Sequence, residues 1–236
     1  MAKWFENKFE GRHEGVVRKH VPMRRKGFLS TYTGMIIAAN IIAFIAVLIL
    51  INYIGEEAVI TWVALMPSAV ISGQALWTFL TSMFMHAGFA HLFVNMISLM
   101  FIGSFVEKLI GKKRFLWLYF ASGLFAGILF VGIAAITGID INVYAVGASG
   151  AIFGLGGVLA VLTPKLPVLV FFIIPMPMWA AMGFLMFGIW ALSLSFGLPI
   201  GNTAHLGGLI IGLGYGFYLR KKYPRKTKMI SKYFTR

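Results

Sequence analysis

Residues 147–163 read GASGAIFGLGGVLAVLT. The stretch holds no charged side chain, lacks the alternation of a barrel strand, and approaches the length that crosses a bilayer as a helix. Its glycines matter as much as its apolar residues. Gly150 and Gly154 stand four apart and form a small-residue stripe on one helical face, which lets a second backbone approach closely inside a membrane. Ser149 sits at the start of the run, where a polar group is costly and therefore informative. Taken alone, a serine among glycines is ordinary packing material that bonds its own backbone.

Working outward, five further apolar blocks at 35–54, 86–106, 115–136, 177–196 and 204–219 make six spans in all, divided by turn-forming or charged stretches. The run 168–174 is too short to span and ends at Pro175 and Pro177, so it is expected to be a buried or interfacial connector, with the fifth helix opening at Pro177. Of 236 residues, 59% are hydrophobic and 12% charged, and the mean hydropathy is +0.86. That is more apolar than a soluble domain of this length hides. The expected fold is all-α: a polytopic six-helix membrane bundle at 35–219 between basic tails at 1–34 and 220–236. The first tail lacks the short apolar core and cleavage site of a signal peptide. There are no cysteines, which excludes disulfides and thiolate metal sites.

The formal net charge is +14, from 21 Lys and Arg against 7 Asp and Glu. Eight basic residues precede Met35, four lie between the second and third spans, Lys165 lies between the fourth and fifth, and eight follow from Arg220 onward. With six spans, all of them fall on one side, and the long segment 55–85 on the other side carries none. The positive-inside rule then places both termini in the cytoplasm. Adding or removing one helix would scatter the charges. The basic tails are expected to touch anionic lipid headgroups. Nucleic acid is not an expected partner, because no aromatic-interleaved or groove-reading motif accompanies the charge.

In that topology the second, fourth and sixth helices all start at the outer face, and near those starts lie His91 and Asn95, Ser149, and His205. His91 and Asn95 are one helical turn apart and share a face. His205 is followed by Gly208, Gly212 and Gly216, a second stripe at four-residue spacing. If the fourth and sixth helices pack through their stripes, Ser149 and His205 come within hydrogen-bonding range at one depth, with two donors nearby. The pattern is not a GxSxG elbow, since Ala151 stands where the second glycine is needed. No HExxH occurs and no carboxylate accompanies the intramembrane histidines, so neither a metal nor a cofactor is expected.

Three motifs resemble those of the rhomboid family of intramembrane serine proteases: HAGFAHLFVNM at 86–96, GASGAIFG from Gly147, and AHLGG from Ala204. They occur in family order over roughly residues 30–222. The resemblance implies a Ser149 nucleophile, a His205 general base, and an oxyanion hole made by His91, Asn95 and the Ser149 backbone N–H. It further implies Phe153 as the ring stacking near the histidine, Glu107 as an acidic residue at the inner end of the second helix, and His86 as a structural histidine, with a second role for it left open. Gly147, Gly150, Gly154 and Gly208 belong to the same motifs. The fifth helix and the loop 197–203 would be gate and cap, with Asn202 a secondary contact. One departure is plain: Trp77 is followed by Thr78, where the family usually has arginine.

The implied activity is hydrolysis of transmembrane protein substrates within a plasma membrane, at a site opening outward. The fourth and sixth spans, expected to be short, would leave room for water. A catalytically silent relative that binds membrane segments is the alternative. A transporter would show intramembrane carboxylates or an internal repeat, and neither is seen.

Overall fold

A computed structural model describes residues 27–171, 173–196 and 201–234. Residues 1–26 and 235–236 of the two basic tails, and 197–200 of the expected cap, lie outside it. The element order is α1 (Tyr32–Ile54), three short helices α2 (Glu56–Val63), α3 (Pro67–Ile71) and α4 (Thr78–Thr81), then α5 (Phe89–Ile110), α6 (Lys112–Thr137), α7 (Ser149–Leu162), strands β1 (Pro167–Val170) and β2 (Ile174–Pro177), α8 (Met178–Phe196), α9 (Asn202–Lys222) and α10 (Pro224–Tyr233).

Four of these, α1, α5, α6 and α8, are long and apolar enough to cross a membrane. They point large apolar side chains outward: Ile42 is 66% exposed, Trp117 78% and Phe187 72%. Such a surface is stable only where lipid is the solvent. Of the other two expected spans, one is short, as expected, and one is not. At 14 residues α7 is about 21 Å long, shorter than the roughly 30 Å hydrocarbon core. In contrast α9 is not short: it runs 21 residues because its last turn continues through Arg220, Lys221 and Lys222. Cations at a helix C-terminus suit its dipole, so the charges extend the helix instead of ending it.

The expected buried or interfacial connector 168–174 is buried at Val170 and exposed at Leu169, Phe171 and Ile173. It forms an antiparallel hairpin with Val168 opposite Met176 and Val170 opposite Ile174, and Ile173 at its end is 79% exposed. This adds two strands to an otherwise helical fold. The basic segment from Arg220 contains a helix of its own, α10, which packs back through a ring contact between Phe234 and Phe105 at 5.8 Å.

The centre of the molecule is α7, nearly all of it buried against α6, α8 and α9. Small residues make this packing. A Cβ at Gly208 would overlap the Gly150 carbonyl, and one at Gly212 would overlap the Gly154 carbonyl. On the third side, a Cβ at Gly150 would meet Ala126 Cβ at 2.6 Å and one at Gly154 would overlap Ser122. At the opposite end of α5, buried Glu107 accepts hydrogen bonds from the N–H groups of Tyr32 (3.0 Å) and Thr33 (2.8 Å) and from the Thr33 hydroxyl (2.7 Å). It caps α1, satisfying two of the N–H groups that a helix start leaves bare.

The contrast between two glycines of α9 tests this packing. Gly212→Ala should lower unfolding free energy in mixed micelles by about 1–3 kcal/mol, the usual cost of overpacking. Gly214→Ala, whose Cβ meets nothing within 4 Å, should stay within about 1 kcal/mol of the parent.

Candidate active site

Ser149 is the first residue of α7, and the chain must turn sharply to enter the helix there. Ala148 is already in helical conformation, whereas Gly147 has φ +114°, which a residue with a side chain adopts only under strain. The Gly147 N–H donates to the Ser82 carbonyl at 2.8 Å, tying this turn to the segment between α4 and α5. A second tie lies further back, between α2 and α3, where Leu65 and Ala145 exchange backbone hydrogen bonds of 3.1 and 2.8 Å.

His205 lies in the first turn of α9, its N–H donating to the Gly201 carbonyl at 3.0 Å. Because Gly150 and Gly208 are in backbone contact, Ser149 Oγ stands 2.8 Å from His205 Nε2. The hydroxyl donates to that nitrogen when Nδ1 carries the ring proton. One turn along α7, the Phe153 ring stacks on the imidazole, with centroids 4.6 Å apart and planes 17° apart. The stack fixes the ring plane without any acidic partner: among the described residues Nδ1 of His205 has no hydrogen-bond acceptor.

His91 and Asn95 stand on the other side of the Gly147 turn. A Cβ at Gly147 would come 2.8 Å from His91 Cε1, 2.9 Å from its Nε2 and 3.9 Å from Asn95 Nδ2, so both side chains converge on this point, two residues before Ser149. The Asn95 amide donates one hydrogen to the His91 carbonyl at 2.9 Å, leaving a second donor hydrogen. His86 is buried edge-on against His91, with ring centroids 5.1 Å apart, and forms a wall behind it.

Other residues singled out in the sequence do not join this group. Glu107 caps α1 at the far end of α5. Trp77 stacks on Trp62 at 5.3 Å and donates its indole N–H to the Trp62 carbonyl at 2.8 Å. Thr78 is fully buried and donates its hydroxyl to the Ala75 carbonyl at 2.6 Å, closing its own loop. Asn202 is buried at the start of α9, three residues before His205. The sequence reading missed Ser122 and Ala126, whose small side chains on α6 let the start of α7 sit where it does. The signal was present in the Ser122, Gly123, Ala126, Gly127 pattern, a small-residue stripe like the two that were noticed.

The rhomboid domain family matches residues 73–222, well over half of the chain. RHOMBOID-like protein 1 of Arabidopsis thaliana is 39% identical over 165 residues, 68% of this chain and 39% of that protein. The rhomboid protease GlpG of Yersinia enterocolitica is 26% identical over 221 residues, 91% of this chain and 74% of that protein. RHOMBOID-like protein 5 of Arabidopsis thaliana is 35% identical over 150 residues, 62% of this chain. This chain spans 39% and 46% of the two plant proteins' lengths.

Gly147→Ala should disturb both neighbours of the turn, because the methyl group overlaps the His91 ring and the positive φ is strained. A loss of about 1–3 kcal/mol in unfolding free energy is expected, against no significant loss for Gly132→Ala, whose Cβ meets nothing within 4 Å.

Proposed function

The chain belongs to the rhomboid family of multi-pass membrane proteins, and from that premise we propose that it is an intramembrane serine endopeptidase with a Ser149–His205 dyad. The observation that carries this reading is the 2.8 Å separation of Ser149 Oγ and His205 Nε2 beneath the stacked Phe153 ring. A serine hydroxyl is a weak nucleophile at neutral pH unless a base removes its proton as it attacks. In the proposed reaction, Ser149 Oγ adds to the scissile carbonyl carbon while His205 Nε2 takes the hydroxyl proton. The negative charge moves to the carbonyl oxygen. His205 then returns the proton to the leaving amine nitrogen as the C–N bond breaks, and a water repeats the cycle to hydrolyse the acyl-enzyme.

The oxyanion is assigned to the Asn95 amide, the His91 ring and the Ser149 backbone N–H. The N-terminus of α7 favours negative charge at the same place. Substrates are transmembrane segments of other proteins. Their scissile bond must first leave its helix, because a helical carbonyl is already hydrogen-bonded and shielded. Helix-weakening residues near the site are therefore part of the expected substrate. The short α7 begins below the membrane surface, which leaves a depression for water. Of the four long apolar helices α8 is the least buried, which suits it to part from the bundle as a substrate enters. We assign the site to the outer face of a plasma membrane, with six spans and both termini in the cytoplasm, on the one-sided distribution of Lys and Arg.

Reconstitution in liposomes with a fluorophosphonate probe and a model transmembrane substrate tests the proposal. Labelling and cleavage should both vanish in folded Ser149→Ala, and cleavage should vanish in His205→Ala. Asn95→Ala should slow cleavage by about 10²-fold, as loss of one oxyanion donor does elsewhere. Full cleavage by folded Ser149→Ala removes the nucleophile assignment. A parent that binds substrates and is never labelled points to a silent binding protein instead.

A further inference from the structure

A cleft of about 340 Å³ lies between α7, α8 and α9, on the side of the bundle away from the Ser149–His205 pair. Its long wall is one face of α9, where Leu209, Leu213, Phe217 and Arg220 follow at helical spacing. Its other walls are the last turn of α7 with Pro164, and the first turns of α8 with Trp179 and Gly183. The floor is closed by Met182, whose sulfur lies where a side chain of Gly156 would be. Gly183 lines the opening, and a Cβ there would meet nothing within 4 Å.

The lining is graded in chemistry. Three apolar residues of α9 lead to one cation, and Trp179, 61% exposed, sits at the same end, its backbone N–H donating to the Pro164 carbonyl at 3.2 Å. Aromatic rings and arginines at a helix end are the residues that sit at the headgroup level of a bilayer. Two neighbouring cations are already engaged. Arg114 donates to the Tyr223 hydroxyl at 3.0 Å, and Lys222 donates to the Tyr218 hydroxyl at 2.7 Å. Arg220, among the described residues, forms no ion pair or hydrogen bond, and no acidic residue lines the cleft.

We propose that this cleft binds one anionic glycerophospholipid, with an acyl chain along Leu209, Leu213 and Phe217 and the phosphate on Arg220. A soluble anion would gain nothing from the three apolar residues. The chain fits either the cleft or bulk lipid about equally well, because both are apolar. Selection therefore comes from the net charge of the headgroup at Arg220, because a choline headgroup carries the same phosphate but offsets it with an ammonium, and a preference of about fivefold for an anionic headgroup is expected. The site is independent of the proposed catalysis.

The test is native mass spectrometry of the full chain in a nonionic detergent, titrated with phosphatidylglycerol or phosphatidylcholine bearing identical acyl chains. The parent should retain phosphatidylglycerol about fivefold better. Gly183→Phe fills the cleft while leaving every charge in place, and should abolish the preference. Arg220→Gln should abolish it too, whereas Lys228→Gln, which removes an equal charge from exposed α10, should leave it intact. Gly183→Val carries the same test if the phenylalanine variant does not show the parent's circular dichroism and melting. The proposal is overturned if the preference survives in folded Gly183→Phe or Gly183→Val. It is equally overturned if Lys228→Gln loses as much as Arg220→Gln, which means diffuse attraction to a basic surface, or if glycerol phosphate displaces the lipid completely, which means a headgroup-only contact.

Discussion

The close approach of α7 and α9 is the contact on which the rest of the structure depends. Inside a bilayer, apolar side chains gain little from meeting each other rather than lipid, so helices associate through tight packing and polar contacts. Here the carbonyls of Gly150 and Gly154 occupy the places that side chains of Gly208 and Gly212 would fill. Two successive contacts with the same offset set the register of one helix against the other. A slip of one turn, about 5.4 Å, would leave no hydrogen bond between Ser149 and His205. The same glycines that hold the bundle together therefore place the hydroxyl beside the imidazole.

The site hangs from backbone as much as from side chains. Gly147 turns the chain into α7, bonds the Ser82 carbonyl, and leaves space that His91 and Asn95 fill from α5. The segment between α1 and α5 is thereby joined to the start of α7 at two points, Ser82 to Gly147 and Leu65 to Ala145. Phe153 then holds the imidazole plane from below, a role that an acidic residue fills in a triad. Rigid support of this kind matters where a nucleophile and its base must keep hydrogen-bonding distance without a third polar group.

Tightness is unevenly distributed. The helices α6, α7 and α9 meet through small residues, while α8 is the least buried of the long apolar helices and sets Met178 and Met182 against Gly156 of α7. Methionine side chains are flexible and fill irregular gaps, so this seam deforms at lower cost than the glycine seam beside it. The hairpin of β1 and β2 leads directly into α8 and contacts it through Phe171 and Phe184, with ring centroids 6.4 Å apart. A rigid core that holds the polar groups stands next to a helix with room to shift.

The apolar blocks, the one-sided basic residues and the spacing of Ser149, His205, His91 and Asn95 were all legible in the sequence, because membrane burial penalises charge and helical periodicity maps spacing onto faces. The glycine stripes were legible for the same reason. Three things were not. The true length of α9 depends on three cations that the helix end accommodates, which hydropathy reads as a stop. The hairpin was hidden because strand pairing joins residues that no local period connects. The role of Gly147 as the point where α5, α7 and the preceding loop converge depends on contacts far apart in the chain. Local composition determined which residues are polar inside the membrane and on which helical face they stand. Only tertiary structure decided which of those faces meet, because that depends on how closely two backbones can approach.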